Sequence, residues 1–229
     1  MAARLRESIH GGALPEGARL PNETALAQDF GVSRATVREA LRLLTAQSLI
    51  RTAKGAGGGS YVTVPSANHL SESLRSGLGL LTAAEDVTLE ELLEVRELLE
   101  VPAAELAARR RSAEDLERLR AAIPDQPLRL RTQEQFTHNR DFHSVVIEAC
   151  GNTLLWITAQ PIFTVLQTHL SRSRLGAAWH TAINEHHRGI AAAIEGGDER
   201  AAGELMYGHL EFLRPHYELA WRQIGRPRG

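Results

Sequence analysis

The stretch LPNETALAQDFGVSRATVREALRLL, residues 20–44, decides the fold of the N-terminal part of this chain. Its spacing predicts two short amphipathic helices joined by a tight turn. Asn22 is placed to cap the first helix, whose apolar positions are Leu26, Ala27 and Phe30. Gly31-Val32 supplies the turn, and Ser33 caps the second helix. There Val37, Ala40, Leu41 and Leu44 recur at i, i+3, i+4 and i+7, which gathers them into one buried stripe. Arg34 and Arg38 stand one turn apart beside that stripe, and Arg42 continues the row. A helix that buries one side and presents Ser, Thr and Arg at its N-terminal end has the form that enters a DNA major groove.

Working outward, helical patterning begins near Arg4 and stops at Gly11-Gly12. After the two helices come Ser48-Leu49-Ile50-Arg51-Thr52, the tip AKGAGGGS (residues 53–60) and the alternating YVTVP (residues 61–65). Two short β segments around a glycine-rich tip predict a β-hairpin, or wing, beside the helices. The run Gly57-Gly58-Gly59 reads either as a flexible loop or as bare backbone that approaches a phosphate or the minor groove together with Lys54.

The chain has 229 residues, of which 43% are hydrophobic and 24% charged, the profile of a globular protein with room for two domains. Its apolar runs fall short of the ~20 residues that span a bilayer, and no charged-then-apolar leader opens it. The single cysteine, Cys150, has no internal partner, which fits a reducing cytoplasm. The net charge of -2 conceals an asymmetry: residues 1–66 hold 8 Lys/Arg against 5 Asp/Glu, and residues 67–229 hold 18 against 23. Phosphate attraction is local, so the basic N-terminal module suffices for nucleic acid.

Three segments follow: a winged helix-turn-helix over 1–66, a linker with a short helix over 67–86 (helical near 70–81), and an all-α domain over 87–229. In that domain Thr88 with Glu91 forms a capping box for a helix reaching Arg111 through Pro102, and Ser112 with Asp115 opens another, stopped by Pro124. A third runs from Gln133 to Ala149. Asn152 caps a fourth through Arg174, a fifth covers 181–195, and Asp198 caps a sixth that passes Pro215. The expected architecture is mainly α, a winged helix plus a six- or seven-helix bundle.

The first module resembles the DNA-binding domain of the GntR family of bacterial regulators. Gly12, Leu14-Pro15, Gly17, Leu20-Pro21, Glu23, Leu26-Ala27, Phe30 to Arg34, Thr36 to Leu41 and Leu44 carry the likeness. The second resembles the FCD effector domain of the FadR-like branch, through Glu94-Val95-Arg96, Leu99-Glu100, Phe142-His143, Gly151-Asn152, His187, Ile190, Asp198, Met206 and His209-Leu210. The resemblance implies that Arg34 and Arg38 read bases or phosphates, helped by Ser33 and Thr36, with Gly58, Gly59 and Ser60 touching the minor groove or backbone. Many family members carry an arginine where this chain has Thr24, so one phosphate contact is changed.

Eight of the ten histidines fall in the acidic helical domain and invite a metal. His143, His187 and His209 come from three helices, and three imidazoles in one bundle can bind a borderline divalent cation and leave positions open. The FCD resemblance implies the same three plus an Asp one turn before the first, where this chain has Asn139, whose amide oxygen ligates without charge. Zn, Ni and Mn are not distinguished, and a metal-free cavity using the histidines as hydrogen-bond donors is the other reading. A small carboxylate suits such a site. Arg96 is placed to bind that acid, or else to pair with Glu100 at i,i+4. The function expected is a ligand-responsive regulator, a repressor that binds a palindromic double-stranded operator as a homodimer, with no membrane contact. The rivals are a metal-dependent enzyme, for which no motif places a general base, and a metal sensor.

Overall fold

The computed structural model describes residues 1–55, 57–124, 132–170 and 177–224. The chain divides into two compact units, Met1–Ser66 and Ala67–Gly229. The first contains α1 (Ala2–His10), α2 (Glu23–Phe30), α3 (Arg34–Ala46), β1 (Ile50–Ala53) and β2 (Gly59–Val62). Asn22 Oδ1 accepts from the Ala25 amide at 2.9 Å, and Ser33 Oγ accepts from the Thr36 amide at 3.1 Å, so both expected caps form. Gly31 makes the turn with φ of 63°, a left-handed conformation that costs glycine little. Val37, Ala40 and Leu44 are buried, whereas Leu41 is half-buried at the edge of a core built from Leu5, Leu20, Leu44, Leu49, Ile50 and Val62.

The strands pair antiparallel, with Ile50 opposite Val62 and Ala53 opposite Gly59. The ladder is therefore shifted from the sequence expectation. It starts at Ile50 because Ser48, with φ of 56°, ends the helical run, and it continues into the glycines. Gly59 and Ser60, expected in the tip, are strand residues. The chain before α2 covers the other edge of β2: Leu20 N donates to Ser60 O and Val62 N to Ala18 O, both at 2.8 Å.

The second unit contains α4 (Ala67–Ala83), α5 (Leu89–Arg110), α6 (Ala113–Ala121), α7 (Thr132–Ala149), α8 (Thr153–Leu170), α9 (Ala177–Gly196) and α10 (Glu199–Ile224). Residues 67–86, expected as a linker with a short helix, hold the 17-residue α4, which packs along α8. Both predicted capping boxes form, at Thr88/Glu91 and Ser112/Asp115. Asn152 and Asp198 cap α8 and α10 through their side-chain oxygens. The expected end of the fourth helix, with Arg172 and Arg174, lies outside the described residues.

Three apolar clusters lie in this unit, the smallest around Ala103, Ile147, Cys150 and Ala159; the two larger ones bracket the site. Ala104, Ala107 and Ala108 give α5 a flat face against which Phe142, Ile190, Ile194 and Met206 close. At the other end Leu92, Phe136, Leu166, Ile183, Leu213 and Tyr217 pack together. On α5, α7, α9 and α10 the positions between these clusters are polar yet buried: Arg96 and Glu100, Asn139 and His143, His187, and His209. A core that interrupts itself with buried polar groups on four helices is built around a site. Among the described residues no helix is long and apolar enough to cross a membrane.

Candidate metal centre and nucleic-acid interface

In the first unit Ser33, Arg34, Thr36 and Arg38 all stand exposed on the first turns of α3, as do Thr24 on α2 and Lys54 at the wing tip. Ser33 and Thr36 also tie their hydroxyls together at 2.8 Å. Arg34 lies 3.6 Å from Glu23 with 64% of its side chain still exposed, so the pair leaves it available. Arg38, Arg42, Thr52 and Ser60 line a common cleft of about 600 Å³. The recognition helix and the wing therefore share one surface.

Arg19 was not predicted as a site residue. Its Nη2 donates to Gly58 O at 2.5 Å, and a Cβ at Gly59 would come within 2.8 Å of its Nε. Tyr61 Oη donates to Gly57 O at 2.7 Å, and Arg51 lies over the Tyr61 ring at 4.9 Å. The wing tip is thus braced from two sides. No spacing in the sequence links Arg19 to a glycine 39 residues later, so only the fold reveals it.

In the second unit the three histidines meet. His143 Nε2 and His187 Nε2 lie 3.2 and 3.3 Å from His209 Nε2, and all three residues are fully buried. Phe142 stacks on the His187 ring at 3.9 Å and 12°, which fixes its plane. His143 is aimed by α5: its Nδ1 donates to Glu100 Oε2 at 2.6 Å, and Glu100 Oε1 accepts from Arg96 Nε at 2.6 Å. Arg96 also donates to Tyr217 Oη at 3.0 Å and lies between the Phe163 and Tyr217 rings. Its Nη2 rests 3.4 and 3.5 Å from the two ring nitrogens of His143. Of the two readings of Arg96, the i,i+4 ion pair with Glu100 forms, and the guanidinium also lies beside the His143 ring. Glu100, Tyr217 and Phe163 were not singled out as site residues, because their meeting spans contacts up to 121 positions apart.

The electrostatics follow from burial and pairing. Burial alone would raise the Glu100 carboxyl, but Arg96 and His143 override it and hold it at about 2. Burial lowers His143 despite Glu100, and it holds His187 and His209 well below the ordinary imidazole value, with neighbouring histidines adding to the effect. All three imidazoles are therefore neutral at pH 7. Because the ionised Glu100 claims the Nδ1 proton of His143, His143 Nε2 carries a lone pair. His209 Nε2 has one proton or one lone pair to offer, and cannot satisfy both neighbours as well as a cation can. A tetrahedral site with metal–nitrogen bonds of about 2.0–2.1 Å spaces its nitrogens about 3.3–3.4 Å apart, close to the two separations from His209 Nε2, and the three ligand atoms all lie within 4.8 Å of one another. Asn139 lies one turn before His143 on α7, and its buried Oδ1 has no hydrogen-bond partner among the described residues. The residues present fit a borderline divalent cation.

These features define a winged helix joined to an all-helical binding domain. Residues 1–60 match the bacterial regulatory proteins of the gntR family, and residues 91–212 match the FCD domain. The chain belongs to the GntR family and carries an FCD domain: it is a DNA-binding transcription regulator with an effector-binding domain, not an enzyme. It is 33% identical over 211 residues to the HTH-type transcriptional regulator LutR of Bacillus subtilis, covering 88% of this chain and 92% of that one. It is 29% identical over 219 residues to a putative L-lactate dehydrogenase operon regulatory protein of Escherichia coli, covering 93% and 83%. Among solved structures, a GntR protein of Streptococcus agalactiae superimposes with a TM-score of 0.59 at 28% identity, covering 93% of this chain and 97% of that one.

Proposed function

We propose that this regulator works in the cytoplasm as a homodimeric repressor whose operator binding is released by a small carboxylate, held in the helical unit by a divalent cation on Asn139, His143, His187 and His209. The observation that carries this reading is the convergence of three buried imidazole Nε2 atoms beside Arg96. The charges favour an anion. Arg96 and Glu100 cancel and the donors are neutral, so a bound divalent cation leaves two positive charges in a buried site, costly until an anion joins them. The cation would supply Lewis acidity toward the acid's oxygens. Arg96 Nη2, against the His143 ring, is placed to donate a charge-assisted hydrogen bond to the same carboxylate.

At the other unit Ser33, Arg34, Thr36, Arg38 and Thr24 on the helices, with Lys54, Gly58, Gly59 and Ser60 on the wing, form the proposed DNA face. A dimer would set two such faces in successive major grooves, about 34 Å apart, on a palindromic operator. Leu70, Leu74 and Leu81 share one side of α4 and are exposed, which supports burial against a second copy. Release follows if the acid binds better to the arrangement that does not fit the operator.

The L-lactate dehydrogenase operon named for one relative makes L-lactate the first acid to test. Thermal unfolding is measured with L-lactate and with short dicarboxylic acids, before and after stripping with EDTA. The expected result is a rise in Tm with an acid that EDTA abolishes, and loss of operator binding with the same acid. Stabilisation indifferent to EDTA overturns the metal-mediated part. If no acid acts while free metal alone controls operator binding, the metal is the signal.

A further inference from the structure

We infer that Gln167 is a positioning residue that fixes the amide of Asn139 with its oxygen free for the cation, making the two side chains a matched pair that a carboxylate cannot join. This rests on the metal reading above. The backbone carbonyl of Phe136 can only accept. Gln167 Nε2 donates to it at 3.1 Å, so the Nε2 end of that amide is committed to α7. Its other end, Oε1, can only accept, and it meets Asn139 Nδ2 at 3.2 Å. The polarity set at Phe136 therefore passes along the chain and leaves Asn139 Oδ1 at its end. That oxygen is buried, has no hydrogen-bond partner among the described residues, and sits one turn from His143 on the same helix. A buried carbonyl oxygen left unpaired is unfavourable, and a cation satisfies it.

The pairing explains why an amide serves at this position. A carboxylate at 139 would set one oxygen against Gln167 Oε1, and Gln167 cannot invert without turning its oxygen toward the Phe136 carbonyl. Both amides are buried, so water does not relieve the clash. The donor set thus stays neutral, and the positive charge remains available to an anionic effector.

The test uses the full-length protein stripped with EDTA and titrated with Co(II), read by competition with a chromophoric chelator and by the visible absorption of the bound ion. Gln167→Met keeps the volume and removes the anchor. It should weaken Co(II) binding about tenfold, the lower range for partners of metal ligands, and change the Co(II) spectrum. Asn139→Asp should gain little in the wild-type background and at least tenfold more in the Gln167→Met background. The metal-free Tm of each variant reports any loss of folding separately. An unchanged affinity and spectrum in Gln167→Met, with Asn139→Asp tightening binding equally in both backgrounds, overturns the inference while leaving the metal site standing. Failure of the wild type to bind Co(II), or binding that survives His187→Ala with His209→Ala, overturns both.

Discussion

Arg34, Arg38 and Arg42 on α3 stand in solvent, whereas Arg96 on α5 is 2% exposed and held by Glu100 and Tyr217. The difference lies in what each cation costs the fold. An exposed guanidinium stays hydrated whether or not it has a partner, so its loose pairs can be exchanged for phosphates at little loss. A buried one exists only because its counter-charge is buried with it. The DNA-reading unit can therefore vary its arginines freely for affinity. The effector unit has tied Arg96, Glu100 and His143 into one network in which no member changes alone.

The sharpest way to break this contrast is to delete one acid from each unit. Glu100→Ala leaves Arg96 buried without a counter-charge and His143 without its acceptor, and should destabilise the helical unit by about 3–5 kcal/mol in urea unfolding. Glu23→Ala removes the exposed partner of Arg34 and should change stability by less than about 1 kcal/mol. Equal effects would mean that Arg96 reaches water and that the buried network is not one.

Acid sharpens the same contrast. In the EDTA-stripped protein the three buried histidines resist protonation, whereas in the unfolded chain they take up protons below about 6.5. Unfolding then binds protons, so the stability of the helical unit is complete above that pH. It falls as the pH drops below it, by about 1.4 kcal/mol per pH unit for each histidine. Glu100, lowered from 4.5 to about 2, adds a second loss that begins near pH 4.5 and runs toward about 2. Urea midpoints between pH 7.5 and 5.5 check the first window, and a flat profile would show that the histidines are not held neutral.

What the sequence disclosed follows the same division. The caps at Asn22, Ser33, Thr88 and Ser112 act over three residues, and the stripe of α3 repeats at a fixed period, so both are written locally. His143, His187 and His209 were legible as a set only through resemblance, because nothing in their spacing makes three helices converge. Glu100 was visible as a neighbour of Arg96 but not as the acceptor for His143, 43 positions away. Gln167 carries no signal at all: a glutamine on an apolar helix becomes informative only when the Phe136 carbonyl is placed against it. The wing was recognised, but both strands start two residues away from the expected positions, since glycines carry no side-chain alternation to mark where pairing ends.

The smallest effects separate reading from positioning within the DNA unit itself. Arg38→Ala should weaken operator binding by about 1–3 kcal/mol if it makes a bidentate base contact, with the loss concentrated on the preferred sequence. Arg19→Ala should cost less, about 1 kcal/mol, because what it removes is a hydrogen bond from a side chain to the wing backbone at Gly58. Salt dependence distinguishes the two modes of action. A guanidinium that neutralises a phosphate lowers the slope of log affinity against log salt by about 1 when it is removed. One committed to the Gly58 carbonyl acts through the shape of the tip and leaves the slope unchanged. Fluorescence anisotropy across a salt series with the Arg19→Ala variant is therefore expected to give a parallel, weaker line. A shallower line would move Arg19 from the scaffold of the wing to its contact surface, and the exposed face of this unit would then extend past α3 to the segment that precedes α2.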